Sequence, residues 1–175
     1  MGPVQRTSNG QDATTHDLWK RIVSFQVPLY DNNLHDGWDK IDLVAVSGDG
    51  EPVIIELKKG GSQEKPLRPL LEATGYAVAL KKVWPAFQRE LQEMVDGIGF
   101  SIEVNPEPEN FRLVILAPGE YWQWLANRAI DATAWGQFKT LTENLGQSGF
   151  PVSFAEVKPS TREVTDIKNF PPSEW

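Results

Sequence analysis

Cysteine is absent from this 175-residue sequence, and histidine occurs only twice. Without cysteine the chain can form no disulfide bond, thiolate zinc site or iron–sulfur cluster, and it offers no cysteine nucleophile. The same absence leaves the redox compartment undetermined. Any metal ion would therefore be held by oxygen ligands, with or without a histidine.

Long apolar runs are also missing, because no stretch approaches the roughly 18–20 residues that span a bilayer. The opening residues are polar where a secretory signal would be apolar. We therefore expect a soluble cytoplasmic protein with no membrane partner. Basic residues are scarce as well: 17 Lys and Arg stand against 24 Asp and Glu, for a formal charge of −7. Nucleic-acid binding would thus need a local basic patch.

Two common catalytic signatures are absent too. No glycine-rich stretch matches a dinucleotide-binding turn or a P-loop, and serine and histidine form no recognisable nucleophile pair. The sequence does contain 40% apolar residues, which is enough for one hydrophobic core. We expect one domain over residues 15–175, preceded by a tail at 1–14 that is disordered or left over from expression.

Proline and glycine divide the sequence into short segments with helical or strand periodicity. Thr14 and Thr15 are placed to cap the first helix. The predicted elements are a helix at 15–23, strands at 24–30, 41–46 and 52–59, helices at 69–82 and 84–96, a strand at 111–118, helical pieces from Glu120 to Leu145, and a strand at 152–158. The run at 111–118 is apolar throughout, which is typical of a central strand buried on both faces. This order predicts an α/β fold with a mixed sheet flanked by helices.

Two of these strands are joined by the turn sequence Gly-Asp-Gly at 48–50 and are predicted to form a β-hairpin. A three-residue loop there places Asp42 directly opposite Glu56. Alternation along the second strand puts Glu56 and Lys58 on the same face. A loop of two or four residues without a bulge would send Asp42 to the other face, so the prediction requires an odd loop or a compensating bulge.

Carboxylates opposed in this way lie at a Cβ distance of about 4.5–5.5 Å and repel each other unless a cation lies between them. The side chains of Asp42 and Glu56, with the backbone carbonyl of Leu57, suit Mg²⁺ or Mn²⁺. Lys58 could then orient or deprotonate a metal-bound water, or neutralise charge on a phosphate. The set predicts a metal-dependent phosphodiesterase. The competing interpretation is a solvated sheet face with a surface ion pair, which the apolar neighbour Ile54 disfavours.

The same residues carry a family resemblance. Asp42, followed after thirteen residues by Glu56-Leu57-Lys58 on paired apolar strands and then by a helix, resembles the PD-(D/E)XK nuclease superfamily. The similar part runs from Asp17 to Leu116. The resemblance implies a restriction-endonuclease-like αβββαβ core with C-terminal additions. It also implies a metal site at Asp42 and Glu56, a catalytic Lys58 and cleavage of nucleic-acid phosphodiester bonds.

Three positions depart from the family pattern or fit it loosely. Many members place a glutamate on the first helix, where this chain offers Asp17. Some place a glutamine and a tyrosine four residues apart on the helix after the lysine strand, where this chain has Glu72 and Tyr76. Ile41 occupies the position of the proline in the family name, a position that varies among members. Asp17, Glu72 and Tyr76 are therefore accessory candidates.

A polar loop precedes the Asp42 strand and could overhang the site. Its candidates are His35 as a base and Asp36 or Asp39 as a further metal ligand. The alternative is that they are turn residues with no special role, since Asn, Asp and Gly dominate turns.

The segment 56–92 is the basic region of an acidic chain. It has seven basic and four acidic residues, which gives a local charge of +3. A phosphate backbone could approach there, although helix surfaces commonly carry lysines anyway. The candidate nucleic-acid contacts are Lys59, Lys65, Arg68, Lys81 and Lys82.

We therefore expect a Mg²⁺- or Mn²⁺-dependent endonuclease whose substrate is DNA, with RNA as the second choice. Two alternatives remain open. The net charge of −7 gives weight to a non-catalytic binding or assembly module on the same fold. An immunity or inhibitor protein could instead use an acidic surface to mimic nucleic acid. For the nuclease, a homodimer or a partner subunit could supply the missing positive charge.

Overall fold

Six β-strands lie side by side in chain order in a computed structural model of the chain, which describes residues 16–28, 40–127 and 131–167. The strands are β1 (Arg21–Pro28), β2 (Lys40–Val46), β3 (Pro52–Leu57), β4 (Arg112–Pro118), β5 (Val152–Lys158) and β6 (Glu163–Asp166). The helices within the described residues are α1 (Leu67–Gly97), α2 (Gly119–Ala126) and α3 (Ala132–Gln147). Strands β3, β4 and β5 are parallel, and the other neighbouring pairs are antiparallel. The expected α/β class with a mixed sheet is confirmed.

These helices pack on one face of the sheet. The chain steps in the same direction from β3 to β4 and from β4 to β5, and right-handed crossovers of this kind place their helices on the same side. On that face Ile54 and Ile115 belong to one core with Leu80 of α1 and Leu125 of α2. The opposite face carries a second cluster, which includes Trp19. Strand β4 contributes to both clusters, which confirms it as a central strand buried on both faces.

The β2–β3 hairpin has the predicted register. Val44 pairs with Ile54, and the same register two residues further on places Asp42 opposite Glu56. Gly50, the last of the three loop residues, has a left-handed φ of 81°. A Cβ at this position would collide with the backbone carbonyl oxygen of Glu103, so the turn requires glycine there. The odd loop that the prediction needed is therefore present.

A single 31-residue helix, α1, replaces the two helices predicted at 69–82 and 84–96. The prediction of two helices is wrong because the buried stripe continues through Leu80, Trp84 and Leu91, all packed in the core. Pro85 lies inside the helix and removes one backbone donor. Packing of this stripe on the sheet outweighs the cost of an interior proline, which is about 3 kcal/mol.

The helix predicted at 15–23 is wrong over its described part. His16 and Trp19 exchange backbone hydrogen bonds of 2.8 and 3.0 Å that close a turn, and β1 follows. Ile22 and Val23 lie in this edge strand, which suits their β-branched side chains and pairs with β2. Trp19 is fully buried against the second face of the sheet. Tertiary packing and strand pairing therefore override the helical spacing of these residues.

The C-terminal half agrees more closely with the predictions. Helices α2 and α3 are the expected pieces between Glu120 and Leu145, and β5 matches the strand predicted at 152–158. Strand β6 was not predicted, because its 4 residues are too few to establish a period. The tail at 1–14 and the proposed caps Thr14 and Thr15 lie outside the described residues.

The described helices include none that is both long enough and apolar enough to cross a membrane.

Candidate functional site

Two of the predicted acids lie where β2 and β3 approach the start of α1. Glu56 is buried on the sheet face that carries the helices, and Asp42 comes directly before Leu43, whose pairing with Ile55 directs Asp42 towards Glu56. The Oδ2 atom of Asp42 accepts a hydrogen bond of 2.8 Å from the backbone N–H of Leu57. This bond holds the Asp42 carboxylate at the end of β3. The structure thus brings Asp42, Glu56 and the backbone of Leu57 together.

The Lys58 ammonium lies at the centre of this region. Its Nζ is 2.9 Å from Glu56 Oε1, 2.9 Å from Glu64 Oε2 and 3.1 Å from Glu72 Oε2. An ammonium has three N–H donors, and here three carboxylates surround them. Only 11% of the Lys58 side chain is exposed, so these ion pairs are screened little by solvent.

Arg68 extends the ion pairs along the first turn of α1. Its Nε donates to Glu72 Oε1 at 3.0 Å, and its Nη1 lies 3.4 Å from Glu64 Oε1. Glu64, Arg68 and Glu72 are spaced four residues apart, which suits neighbours on a helical path. We call the following residues the acid–lysine cluster: Asp42, Glu56, Lys58, Glu64, Arg68 and Glu72.

Burial has the largest effect on the electrostatics of Glu56. It raises the pKa of this carboxyl to about 8; the contact with Lys58 opposes the rise, and the nearby Asp42 carboxylate adds to it. Burial also disfavours a charged Lys58, but its contacts with Glu56 and Glu64 outweigh burial and raise the pKa of the ammonium above its usual value. Lys58 therefore stays protonated at neutral pH.

The accessory candidates on α1 differ in protonation. Burial alone would raise the pKa of Glu72, yet hydrogen bonds from Lys58 and Arg68 lower it below its usual value, so Glu72 is ionised. Tyr76 lies one turn further along the helix and is buried. Burial and the Glu56 and Glu72 charges raise the pKa of Tyr76 to about 12, so its phenol keeps its proton.

Two residues of this region were missed by the sequence analysis. Glu64 precedes α1 and contacts both bases of the cluster, while the Tyr121 hydroxyl donates to the Glu64 backbone carbonyl at 3.0 Å. The alternation of Glu64, Arg68 and Glu72 at intervals of four could have revealed Glu64. Tyr121 comes from α2, after the next strand, so no local pattern links it to Glu64.

Other predicted residues lie away from the cluster. Asp17 is in the turn before β1. Three residues later, the backbone N–H of Lys20 donates to the carbonyl of Val46. Val46 is the last residue of β2, at the opposite end of that strand from Asp42. Lys81 follows Arg68 by 13 residues, roughly 20 Å along the helix. Its ammonium lies over the rings of Phe111 and Phe150, at 5.8 and 5.2 Å from their centroids.

The remaining basic candidates divide by position. Lys59 and Lys65 are exposed and flank the segment between β3 and α1, beside the cluster. Lys82 is exposed next to Lys81, further along α1. His35 and Asp36, with Asp39, lie outside the described residues.

The charges and ligand types of the cluster fit a divalent cation. Its four carboxylates, when ionised, exceed the charges of Lys58 and Arg68 by two. Burial raises the pKa of Glu56 most, and the Asp42 and Glu72 carboxylates add to the rise. Asp42, Glu56 and the Leu57 carbonyl offer the oxygen ligands that Mg²⁺ and Mn²⁺ prefer. Across the residues that the structure describes, no group of three or more His, Asp or Glu side chains is arranged as a metal site.

Comparison with known proteins finds no match: no family model, no curated protein and no solved structure matches the chain.

Proposed function

We propose that the chain is a cytoplasmic, metal-dependent endonuclease with a restriction-endonuclease-like core, acting on DNA rather than RNA. One observation carries the proposal: Lys58 Nζ lies 2.9 Å from Glu56 Oε1, on the strand whose partner presents Asp42. This is the gathering of two acids and an ammonium that the PD-(D/E)XK resemblance implies. The consecutive elements β1, β2, β3, α1 and β4 support the strand–helix–strand part of that core.

In this proposal Asp42 and Glu56 hold Mg²⁺ or Mn²⁺ together with the Leu57 carbonyl. When bound, such an ion polarises a phosphate oxygen and makes its bound water more acidic. The Leu57 N–H orients the Asp42 carboxylate through the 2.8 Å hydrogen bond. The Lys58 ammonium orients the Glu56 carboxylate through its 2.9 Å contact with Glu56 Oε1.

The ion pairs of Lys58 favour one of its two predicted roles. An ammonium paired with three carboxylates keeps its proton, so it is a poor general base. A charged Lys58 can instead stabilise negative charge that develops on the phosphate oxygens. Arg68 adds a second cation, with 58% of its side chain exposed.

The exposed bases nearest the cluster support the approach of a polyanion at the start of α1. Lys59 and Lys65 flank the loop that carries Glu64, and Arg68 lies in the first turn of the helix. Each contact with a phosphate would release counterions, so binding is expected to weaken with salt. Lys81 and Lys82 lie further along α1 and are less suited to the same stretch of backbone.

The test is cleavage of supercoiled plasmid and of single-stranded DNA and RNA with Mg²⁺ or Mn²⁺. We expect wild type to cleave, Asp42→Asn and Lys58→Met to lose activity, and EDTA to stop the reaction. Glu90→Gln is the matched control, since Glu90 is exposed on α1. Calorimetry should detect Mn²⁺ binding to wild type that weakens in Asp42→Ala. If the wild type neither cleaves these substrates nor binds Mn²⁺, the nuclease is excluded.

The closed ion pairs favour a second candidate, a non-catalytic binding or assembly module. Both bases of the cluster are already paired with acids of the same chain, as in a network that only supports the fold. For such a module, Asp42→Asn would alter neither metal binding nor any activity. The same plasmid and calorimetry experiments therefore separate the two functions.

A further inference from the structure

Lys58 and Arg68 are bridged twice by carboxylates. Glu72 contacts Lys58 at 3.1 Å through Oε2 and Arg68 at 3.0 Å through Oε1. Glu64 spans the same two bases, with Oε2 at 2.9 Å from Lys58 and Oε1 at 3.4 Å from Arg68. Two oxygens of one acid thus face two cations, which is the way a phosphate also binds an Arg and a Lys.

The two bridging acids differ in how firmly they are held. Glu72 lies in α1, its side chain is only 5% exposed, and it is held by both Lys58 and Arg68. Glu64 lies in the segment between β3 and α1, and its side chain is 31% exposed. The contact of Glu64 with Arg68, at 3.4 Å, is also longer than the contact of Glu72 with Arg68, at 3.0 Å. Among the described contacts, the hydrogen bond from the Tyr121 hydroxyl to the Glu64 carbonyl anchors this segment.

We propose that Lys58 and Arg68 form a phosphodiester-binding subsite that the Glu64 carboxylate occupies in the free protein. A backbone phosphate displaces Glu64 and takes over its two contacts, while Glu72 and Glu56 stay in place. Glu64 is then an internal competitor that lowers the affinity for nucleic acid. This inference rests on the proposed nuclease function, because it assigns the ligand of the same cluster.

Binding without cleavage tests the subsite. The probe is a fluorescein-labelled 20-base-pair DNA duplex in Ca²⁺, followed by fluorescence anisotropy. We expect Glu64→Gln to bind about tenfold more tightly than wild type, because the neutral amide competes less well for the two cations. Glu143→Gln, at an exposed position on α3, changes the net charge equally and should stay within about twofold of wild type.

A double variant identifies the subsite. If Glu64 competes for Arg68, the gain in affinity disappears when Glu64→Gln is combined with Arg68→Gln. A gain that persists in the double variant, or a Glu64→Gln affinity no better than that of Glu143→Gln, overturns the proposal. Should Glu64→Gln not fold, Tyr121→Phe replaces it, because it loosens the Glu64 segment and keeps every charge. A gain there supports the subsite, and an unchanged affinity overturns it.

The outcomes also separate this inference from the function on which it rests. Metal-dependent cleavage without a gain in Glu64→Gln leaves the nuclease standing and excludes the competing carboxylate. A gain that depends on Arg68, in a protein that never cleaves, retains the subsite and excludes the nuclease. The second pattern would be that of a nucleic-acid-binding module.

Discussion

Both ends of β3 carry ion pairs in which carboxylates outnumber bases, by one at the hairpin end and by two at the end that leads to α1. At the hairpin end, Glu51 accepts from Arg112 Nε at 2.8 Å and from Asn110 Nδ2 at 2.9 Å, while Arg112 Nη2 reaches Asp49 at 2.9 Å. We call Asp49, Glu51, Asn110 and Arg112 the hairpin-end network. Both oxygens of its buried acid have a donor, so this network is satisfied within the chain.

The acid–lysine cluster at the other end is arranged differently. Four carboxylates share the charges of Lys58 and Arg68, and burial with the nearby Asp42 raises the pKa of Glu56 to about 8. Crowding of like charges at a buried site costs stability, so it is typical of a site that binds something. The comparison supports our proposal that the cluster binds a ligand, whereas the hairpin-end network is satisfied within the chain.

The largest expected difference between the two ends is in catalysis. Asp42→Asn should lower metal-dependent DNA cleavage at least about 10²-fold, because it removes a charged metal ligand while keeping an oxygen for Leu57 N–H. Arg112→Gln should leave cleavage within about threefold of wild type, since it acts only in the hairpin-end network. Initial rates on plasmid measure both. Equal losses would show that the two ends are not functionally distinct.

The second-largest expected difference between the two ends of β3 is in the free energy of unfolding. Lys58→Met leaves buried Glu56 and Glu72 without their shared ammonium, so we expect a loss of about 3 kcal/mol in the free energy of unfolding. Arg112→Met should cost about 1–2 kcal/mol, because Asn110 still donates to Glu51. Urea denaturation at pH 7 measures the two losses. A larger loss for the arginine variant would contradict the comparison.

The free energy of unfolding should also depend on pH because of the acid–lysine cluster. The pKa of Glu56 is raised from 4.5 to about 8 by folding, so the native state holds this proton more tightly than the unfolded state. Its contribution to stability is present below about pH 4.5 and is lost as pH rises through 8. Wild type should therefore lose about 4 kcal/mol more than Glu56→Gln between pH 5 and 8.5. Urea denaturation at several pH values measures this, and parallel profiles would refute it.

The smallest effect is expected for an exposed ion pair used as a reference. Lys158 and Glu163 approach to 3.7 Å with more than half of the lysine exposed. Glu163→Gln should change the free energy of unfolding by less than about 0.5 kcal/mol, whereas Glu51→Gln in the hairpin-end network should cost about 1 kcal/mol. Thermal and urea unfolding together measure the difference. A larger effect at Glu163 would mean that burial does not rank these pairs.

Local patterns predicted most of the sheet and the centre of the cluster. The Gly-Asp-Gly turn and strand alternation were sufficient for the register that places Asp42 opposite Glu56. The N-terminal segment was predicted wrongly, because Leu18, Trp19 and Ile22 fit a helical spacing as well as an edge strand beside β2. The division of α1 was wrong for a related reason: the buried stripe through Trp84 is continuous only when the sheet lies beneath it.

The amino-acid sequence alone determined the pairing of β2 with β3, the class of fold and the meeting of Asp42, Glu56 and Lys58, because these depend on turn length and on a period of two residues. Only the tertiary structure decided that Lys58 is held by Glu64 and Glu72 and that Tyr121 anchors the Glu64 segment. Such contacts join a loop and helices that lie apart along the chain. Their geometry follows from how the helices pack on the sheet, and local periodicity carries no information about it.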